Sequence, residues 1–153
     1  MKKYKFPEGK IHEDQATTYK YFLEANKIVY IDYVGYIYYR RENSILTKKY
    51  NIKRLDSFSN WQEIVENMKN ENFSIKKQMY LRYLWWIFDN LNYITSTNDS
   101  KDIKLKYMEI IKESLKGNRL KLFWYNKYHL KYMILYLTFL IDIKFFYKIK
   151  GER

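Results

Sequence analysis

Several residue types that shape folds are scarce in this chain of 153 residues, which has no cysteine, one proline and four glycines. Without cysteine, neither a disulfide framework nor a zinc site built on thiolates can form, and either redox compartment is allowed. Long apolar runs are also missing: the longest, Tyr132 to Ile141, is about half of the roughly 20 residues that a membrane-spanning helix needs. A span across a membrane is therefore not expected.

The N-terminus also lacks the marks of a secretory signal. The opening MKKYKFPEGK is basic, but no apolar segment follows it as a signal peptide would require. The sequence therefore predicts a cytoplasmic location, and it leaves open a peripheral contact with the inner face of the membrane.

Positive charge is in excess: 29 Lys and Arg stand against 17 Asp and Glu, which makes the formal net charge +12. Such an excess suits nucleic acid or an anionic membrane surface, because cationic side chains release counterions from phosphate groups. The charges are spread along the whole chain, however, and Lys, Asn, Ile and Tyr are all abundant, as in proteins of AT-rich genomes. We interpret most of the excess as background composition, with attraction to acidic lipid as a smaller contribution. Nucleic acid is not an expected partner.

The first quarter of the chain combines helical and β-type patterns. Apolar residues at helical spacing predict a helix over residues 12–27, and its first turn holds Glu13 and Asp14, which suit the positive end of a helix dipole. The runs KIVYID, at residues 27–32, and YIYYR, at residues 36–40, are rich in β-branched and aromatic residues. These two runs predict two short strands.

From Lys53 onward the apolar residues follow helical spacing. The predicted helical regions are Leu55 to Met68, Tyr80 to Ile94, Ile103 to Ile111, and Leu120 to Ile149. Asp99 or Ser100 is expected to cap the third of them, and Gly117 to follow its C-terminus. These stripes are typical of a packed core rather than of a cofactor site.

An ordered set of motifs in the first quarter carries a family resemblance. FPEGKIHED is followed by the predicted helix, then by KIVYID and then by YRRENSI. This order and spacing resembles the C-terminal half of the catalytic domain of bacterial family 2 glycosyltransferases, enzymes of the GT-A fold that use nucleotide-diphosphate sugars. The resemblance covers residues 4–47, and the matching residues are Glu8, Gly9, Glu13, Asp14, Arg41 and Ser44.

The resemblance implies roles at the start of the first helix. In the family, the second acid of the Glu-Asp pair is the general base that takes a proton from the acceptor hydroxyl while the oxygen attacks the anomeric carbon. In this chain that base would be Asp14. Glu13 and His12 would bind the acceptor or shape its pocket. A purely structural role stays open for all three, because acidic residues favour the first turn of any helix.

The resemblance implies a second group of binding residues after the predicted strands. Arg41 and Ser44 would bind the diphosphate of the donor, since a guanidinium and a hydroxyl suit phosphate oxygens. Arg40 is a weaker candidate for the same role. The simpler interpretation is that Arg41 pairs with Glu42 in solvent and that Ser44 belongs to a turn.

The same resemblance implies that half of the enzyme is absent from this chain. The other half of the family's catalytic domain carries an Asp-x-Asp motif that holds a divalent metal, Mn or Mg, on the donor, and no Asp-x-Asp occurs here. We therefore expect a C-terminal piece without a cofactor site of its own, which alone lacks most of the catalytic power. Its partners would be the nucleotide-binding half, a nucleotide-diphosphate sugar, and a glycan or lipid-linked acceptor.

These expectations combine into an α+β fold that is mostly α. Residues 1–50 are predicted to form the C-terminal end of a GT-A catalytic core, with one helix and two short strands. Residues 51–153 are predicted to form a helical extension, a bundle of about four helices.

The C-terminal segment supports a second interpretation of the whole chain. From Leu120 onward it mixes aromatic residues with lysines, as interfacial segments do, although its charges do not fall on one clean helical face. The alternative to a transferase is therefore a small basic helical module that binds nucleic acid or an anionic membrane surface. His129, alone among these helices, is interpreted as an ordinary polar residue.

Overall fold

The computed structural model of the chain describes residues 4–37, 39 and 50–151. Within these residues the regular structure is helical. In chain order the helices are α1 (Glu13–Glu24), a short 3₁₀ helix (Ile52–Leu55), α2 (Asp56–Asn67), α3 (Phe73–Ser96), α4 (Lys101–Ser114), α5 (Arg119–Asn126), α6 (Leu130–Ile141) and α7 (Ile143–Gly151). In this described part, no helix combines the length and the apolar character that crossing a membrane requires.

Helix α3 is the centre of the bundle. It has 24 residues, which is a length of about 36 Å, and it packs against α4, α5 and α7. Its buried side chains recur every three or four residues, as the apolar spacing of the sequence predicts; they include Tyr80, Tyr83, Leu84, Ile87, Leu91 and Ile94. The main neighbour of helix α1 is α2.

Side-chain caps explain where several helices begin. The side chain of Asn72 accepts a hydrogen bond from the backbone N–H of Ile75, at 3.0 Å, at the start of α3. Asp142 does the same for α7, since its Oδ1 accepts from Lys144 N at 2.8 Å and from Phe145 N at 3.1 Å. These caps satisfy N–H groups that have no partner within the helix.

The cap at Asp142 corrects the expected helical region from Leu120 to Ile149. That region consists of three helices, α5, α6 and α7, and Asp142 lies in extended conformation between the last two. The bundle after residue 50 therefore has six α-helices in the described chain, instead of about four. A capping aspartate inside an apolar pattern stops one helix and starts the next.

The end of α4 also differs in detail from the expectation. Ser100 occupies the N-cap position of α4, which confirms one of the two predicted positions, but its side chain makes no capping hydrogen bond. Gly117 does not terminate the helix in a left-handed conformation, because α4 ends at Ser114 with Leu115 as its C-cap. The chain leaves the helix through tight turn bonds instead, such as Asn118 N to Leu115 O at 2.8 Å.

The predicted α+β fold is wrong for the residues that the structure describes, because none of them forms a strand. Residues 27–32 and the described residues 36, 37 and 39 belong to no helix or strand. Their side chains are open to solvent; Tyr30, for example, is 88% exposed. A strand needs a neighbour for its backbone hydrogen bonds, and two short strands alone are marginal in water. The division of the chain at residue 50 stays a prediction.

Candidate functional site

The candidate site begins at the turn that leads into α1. Gly9 and His12 both have positive φ angles, 74° and 66°, so the chain passes through two left-handed positions before the helix starts. Glycine adopts this conformation without strain, whereas for histidine it is uncommon. The His12 carbonyl accepts a hydrogen bond from the side-chain N–H of Asn60 in α2, at 3.2 Å. This bond ties the start of α1 to the bundle.

The imidazole of His12 points toward α3. Its ring meets the Trp86 indole edge to face, with the ring centroids 4.9 Å apart, and the indole N–H donates to Ser57 Oγ at 2.9 Å. His12 Nε2 is buried and has no hydrogen-bond partner in the described chain. Burial is the main cause that lowers the pKa of His12, and the nearby charge of Arg54 adds to it. The carboxylates of Asp14, Glu13 and Asp89 act in the opposite direction but are outweighed, so the fold favours the neutral ring.

Arg54 provides the buried charge next to this histidine. Its guanidinium carbon lies 5.0 Å from the ring centroid of Tyr93, a cation–π arrangement. Arg54 also borders a cavity of about 500 Å³ together with Asp89 and Asn92. The Nε and Nη1 atoms of Arg54 are buried without a hydrogen-bond partner in the described chain, so only part of the cost of burying this charge is offset by its aromatic neighbours.

The two acids that follow His12 lie in the first turn of α1 and are exposed. The Oδ1 atom of Asp14 accepts a hydrogen bond from the backbone N–H of Gln15, at 2.8 Å. The carboxylate is therefore at the positive end of the helix dipole. It remains accessible to a molecule from solvent.

Asp14 lines the candidate site, a cavity of about 650 Å³ that is bordered by α1, α2 and α3 and is open to solvent. This volume is in the range of ligand sites in proteins. Its walls are mainly apolar and include Tyr19, Phe22, Trp61, Ile64, Met68 and Met79. Asp14 and Arg82 are the charged residues that border it. We call this space the Asp14 cavity.

Of the predicted site residues that the structure describes, one borders the Asp14 cavity. His12, Glu13 and Asp14 are neighbours in the chain, but only Asp14 borders the cavity, since His12 packs on Trp86. Arg40, Arg41 and Ser44 lie outside the described residues.

Arg82 and the aromatic wall of the cavity were missed from the sequence. Arg82 interrupts the apolar segment of α3, MYLRYLWWIF, with its charge, and this is the signal that could have identified it. Trp61 shows no such signal, because it follows the helical spacing of a core residue and is itself buried. Only the tertiary packing that places α1, α2 and α3 around the cavity brings these side chains to Asp14.

Comparisons with protein-family models, with curated proteins and with solved structures find no match at the level at which a relationship is recognised.

Proposed function

We propose that this chain is the acceptor-side part of a family 2 glycosyltransferase and that the Asp14 cavity receives the acceptor. The observation that carries the proposal is the location of Asp14: the residue that the sequence resemblance implies as base is exposed at the edge of a ligand-sized cavity.

The chemistry assigned to Asp14 is proton removal. The carboxylate takes the proton of an acceptor hydroxyl as the oxygen forms a bond to the anomeric carbon of the donor sugar. The bond from that carbon to the nucleotide diphosphate breaks at the same time, and the diphosphate leaves with the electron pair. Because attack comes from the opposite side to the leaving group, the anomeric configuration is inverted.

The walls of the cavity suit an acceptor with apolar surface. Phe22, which is exposed, and the partly buried Tyr19 provide aromatic surface on which the apolar face of a sugar ring or the lipid of a lipid-linked acceptor would be buried, whereas Trp61 is largely covered by its stack on Tyr83. Arg82 would supply a positive charge for a phosphate of such an acceptor or donor. The acceptor class is therefore a glycan or a lipid-linked sugar.

The divalent metal that the resemblance implies for the intact enzyme does not fit the described part of this chain. Among residues 4–37, 39 and 50–151, no three His, Asp or Glu side chains come together as a metal site requires. No step is therefore derived through a metal here. That ion stays an expectation for the nucleotide-binding half.

The proposal is tested in the source organism by changing Asp14 to Asn in its chromosomal gene. Asparagine keeps the size of the side chain but cannot accept the proton, so transfer should fall by about 100-fold or more. Mass spectrometry of the cell's glycans and lipid-linked sugars should then show one structure lost. An antiserum against the chain checks that the amount of protein is unchanged.

Asp102→Asn is the matched control. Asp102 is also an exposed acid in the first turn of a helix, α4, so its loss has the same effect on a helix dipole. The glycans should remain normal in this variant. If the Asp14→Asn strain keeps every glycan of the parent strain, Asp14 is not the base and the proposal is wrong.

A further inference from the structure

Helix α6 is apolar on the side that faces solvent. Its twelve residues, LKYMILYLTFLI, contain a single charge, Lys131. Met133, Tyr136 and Phe139 are buried against the bundle. On the other side, residues spaced by three or four positions are exposed, namely Leu130 (71%), Ile134 (66%), Leu137 (40%) and Ile141 (80%). We call these four residues the α6 outer face.

Such a face is unusual for a helix on the surface of a bundle. A surface helix normally has polar residues on its outer side, and a helix that is apolar all round is normally buried in a core or a membrane. Clustered apolar surface of this kind marks a site of interaction, because covering it removes apolar area from water. The α6 outer face therefore needs an occupant.

The charges around α6 indicate the chemistry of that occupant. From residue 119 to residue 151 the chain has one acid, Asp142, and seven basic residues: Arg119, Lys121, Lys127, Lys131, Lys144, Lys148 and Lys150. Lys127 and Lys144 lie just beyond the two ends of the helix, and the Nζ atom of Lys127 lies 3.9 Å from the ring centroid of Trp124. Lysine and tryptophan beside exposed aliphatic residues are typical of segments at a lipid headgroup layer.

We propose that the α6 outer face docks on an anionic bilayer surface. At 12 residues α6 is about 18 Å long, shorter than the roughly 30 Å of a hydrocarbon core, so it would lie in the plane of the interface. The four aliphatic side chains would enter the boundary of the acyl chains, and the lysines would bind the acidic headgroups. The proposal does not depend on sugar transfer.

Two other occupants fit the same face less well. A second copy of the chain would bring α6 against itself in a two-fold dimer, so that Lys131 and the lysines just beyond the helix ends, Lys127 and Lys144, would come close to those of the other copy. Nucleic acid would meet aliphatic side chains, which cannot stack on bases as aromatic rings do. An anionic bilayer is complementary both to the aliphatic residues of the α6 outer face and to the lysines around them.

The test is co-sedimentation of the purified 153-residue chain with lipid vesicles. The chain should bind vesicles of phosphatidylcholine mixed with phosphatidylglycerol and should bind pure phosphatidylcholine vesicles much less. Ile134→Gln and Ile141→Gln should each reduce the partition coefficient by about fivefold, because each removes a side chain that enters the lipid. Lys131→Gln should reduce it by about fivefold, since one basic residue near an anionic surface contributes that much.

Exposed residues elsewhere supply the matched controls. Ile52→Gln and Lys53→Gln change an exposed isoleucine and an exposed lysine of the 3₁₀ helix, and they should leave vesicle binding within twofold of the parent chain. Circular dichroism confirms that each variant keeps its helices. Because all the changed side chains are exposed, unfolding is not expected.

Three outcomes would overturn the proposal. The first is equal binding to neutral and anionic vesicles, or no binding at low salt. The second is a loss with Lys53→Gln as large as that with Lys131→Gln, which would mean general charge attraction. The third is a dimer in light scattering that Ile134→Gln converts to a monomer while vesicle binding stays unchanged, which would assign the face to a second copy.

Discussion

Tyr83 and Trp61 stack face to face in the core, with their ring centroids 4.7 Å apart and their planes at 8°. The pair joins α3 to α2 directly behind the Asp14 cavity, which Trp61 borders. The Tyr83 hydroxyl at the end of this stack is buried and has no hydrogen-bond partner in the described chain. Burial raises the pKa of Tyr83, so the hydroxyl stays protonated.

This unpaired hydroxyl predicts that Tyr83→Phe stabilises the protein. The substitution keeps the stacked ring and removes a polar group that is not compensated, so the free energy of unfolding should rise by about 1 kcal/mol. Tyr136→Phe is the control, because the Tyr136 hydroxyl donates to Arg119 O at 3.3 Å. That variant should lose about 0.5–1.5 kcal/mol. Urea denaturation followed by circular dichroism measures both, and a loss of stability in Tyr83→Phe would contradict the prediction.

Asn126 predicts a second effect on stability. It is completely buried at the end of α5, and its side-chain N–H group donates to Tyr80 O at 3.2 Å and to Leu122 O at 2.9 Å. Asn126→Ala removes both bonds and leaves the Tyr80 carbonyl without this partner, so the protein should lose about 1–3 kcal/mol. Asn92→Ala, at an exposed position of α3, should change the free energy of unfolding by less than about 0.5 kcal/mol.

The cap at Asp142 predicts a difference between two substitutions. Asp142→Ala removes the acceptor for two backbone N–H groups of α7 and should cost about 1 kcal/mol. Asp142→Asn retains an oxygen that can accept these bonds, so most of the stability should remain. Thermal unfolding of the two variants under the same conditions compares them. An equal loss in both would mean that the charge of Asp142, not its hydrogen bonding, starts the helix.

The lowered pKa of His12 predicts how the stability depends on pH. The ordinary pKa is 6.5, and the folded protein binds this proton only at lower pH than the unfolded chain does. Between the pKa of His12 in the folded protein and its pKa in the unfolded chain, the unfolded state binds more protons. The free energy of unfolding therefore falls as the pH decreases below 6.5. His12→Gln should remove this part of the pH dependence.

The His12 prediction is measured as the difference between the parent chain and the variant in urea denaturation at several pH values. The carboxylates titrate in both proteins and cancel in this difference. His129→Gln controls for the loss of a histidine, because His129 is exposed. A parent chain and a His12→Gln variant with parallel pH profiles would show that the His12 ring is not held neutral.

Local rules of the sequence determined the helical part of the fold. The apolar spacing along α2, α3 and α4 predicted these helices, and Ser100 was correctly placed just before α4, because periodicity and helix starts depend on residues that are close together in the chain. The sequence also placed the Glu-Asp pair in the first turn of α1, where the structure has it.

Tertiary structure decided whether the β-rich runs became strands. A strand satisfies its backbone only through another segment, and none of the residues 27–37 forms a strand in the described chain. The high β propensity of these runs was therefore not enough to make them strands. The split of the last helical region at Asp142 shows the same limit, since an apolar pattern does not reveal which polar residue will turn back to cap a helix.

The candidate site, like the fold, could be predicted only in part from the sequence. The family resemblance of an ordered motif made Asp14 a candidate base, which stays a prediction, and the sequence contained the lysines and aliphatic residues of the C-terminal segment. Arg82 and Trp61 come close to Asp14 only because α1, α2 and α3 pack around the same cavity. The exposed face of α6 is likewise recognised only because Met133, Tyr136 and Phe139 are buried on the opposite face. Both depend on contacts between residues far apart in the chain, which no local pattern specifies.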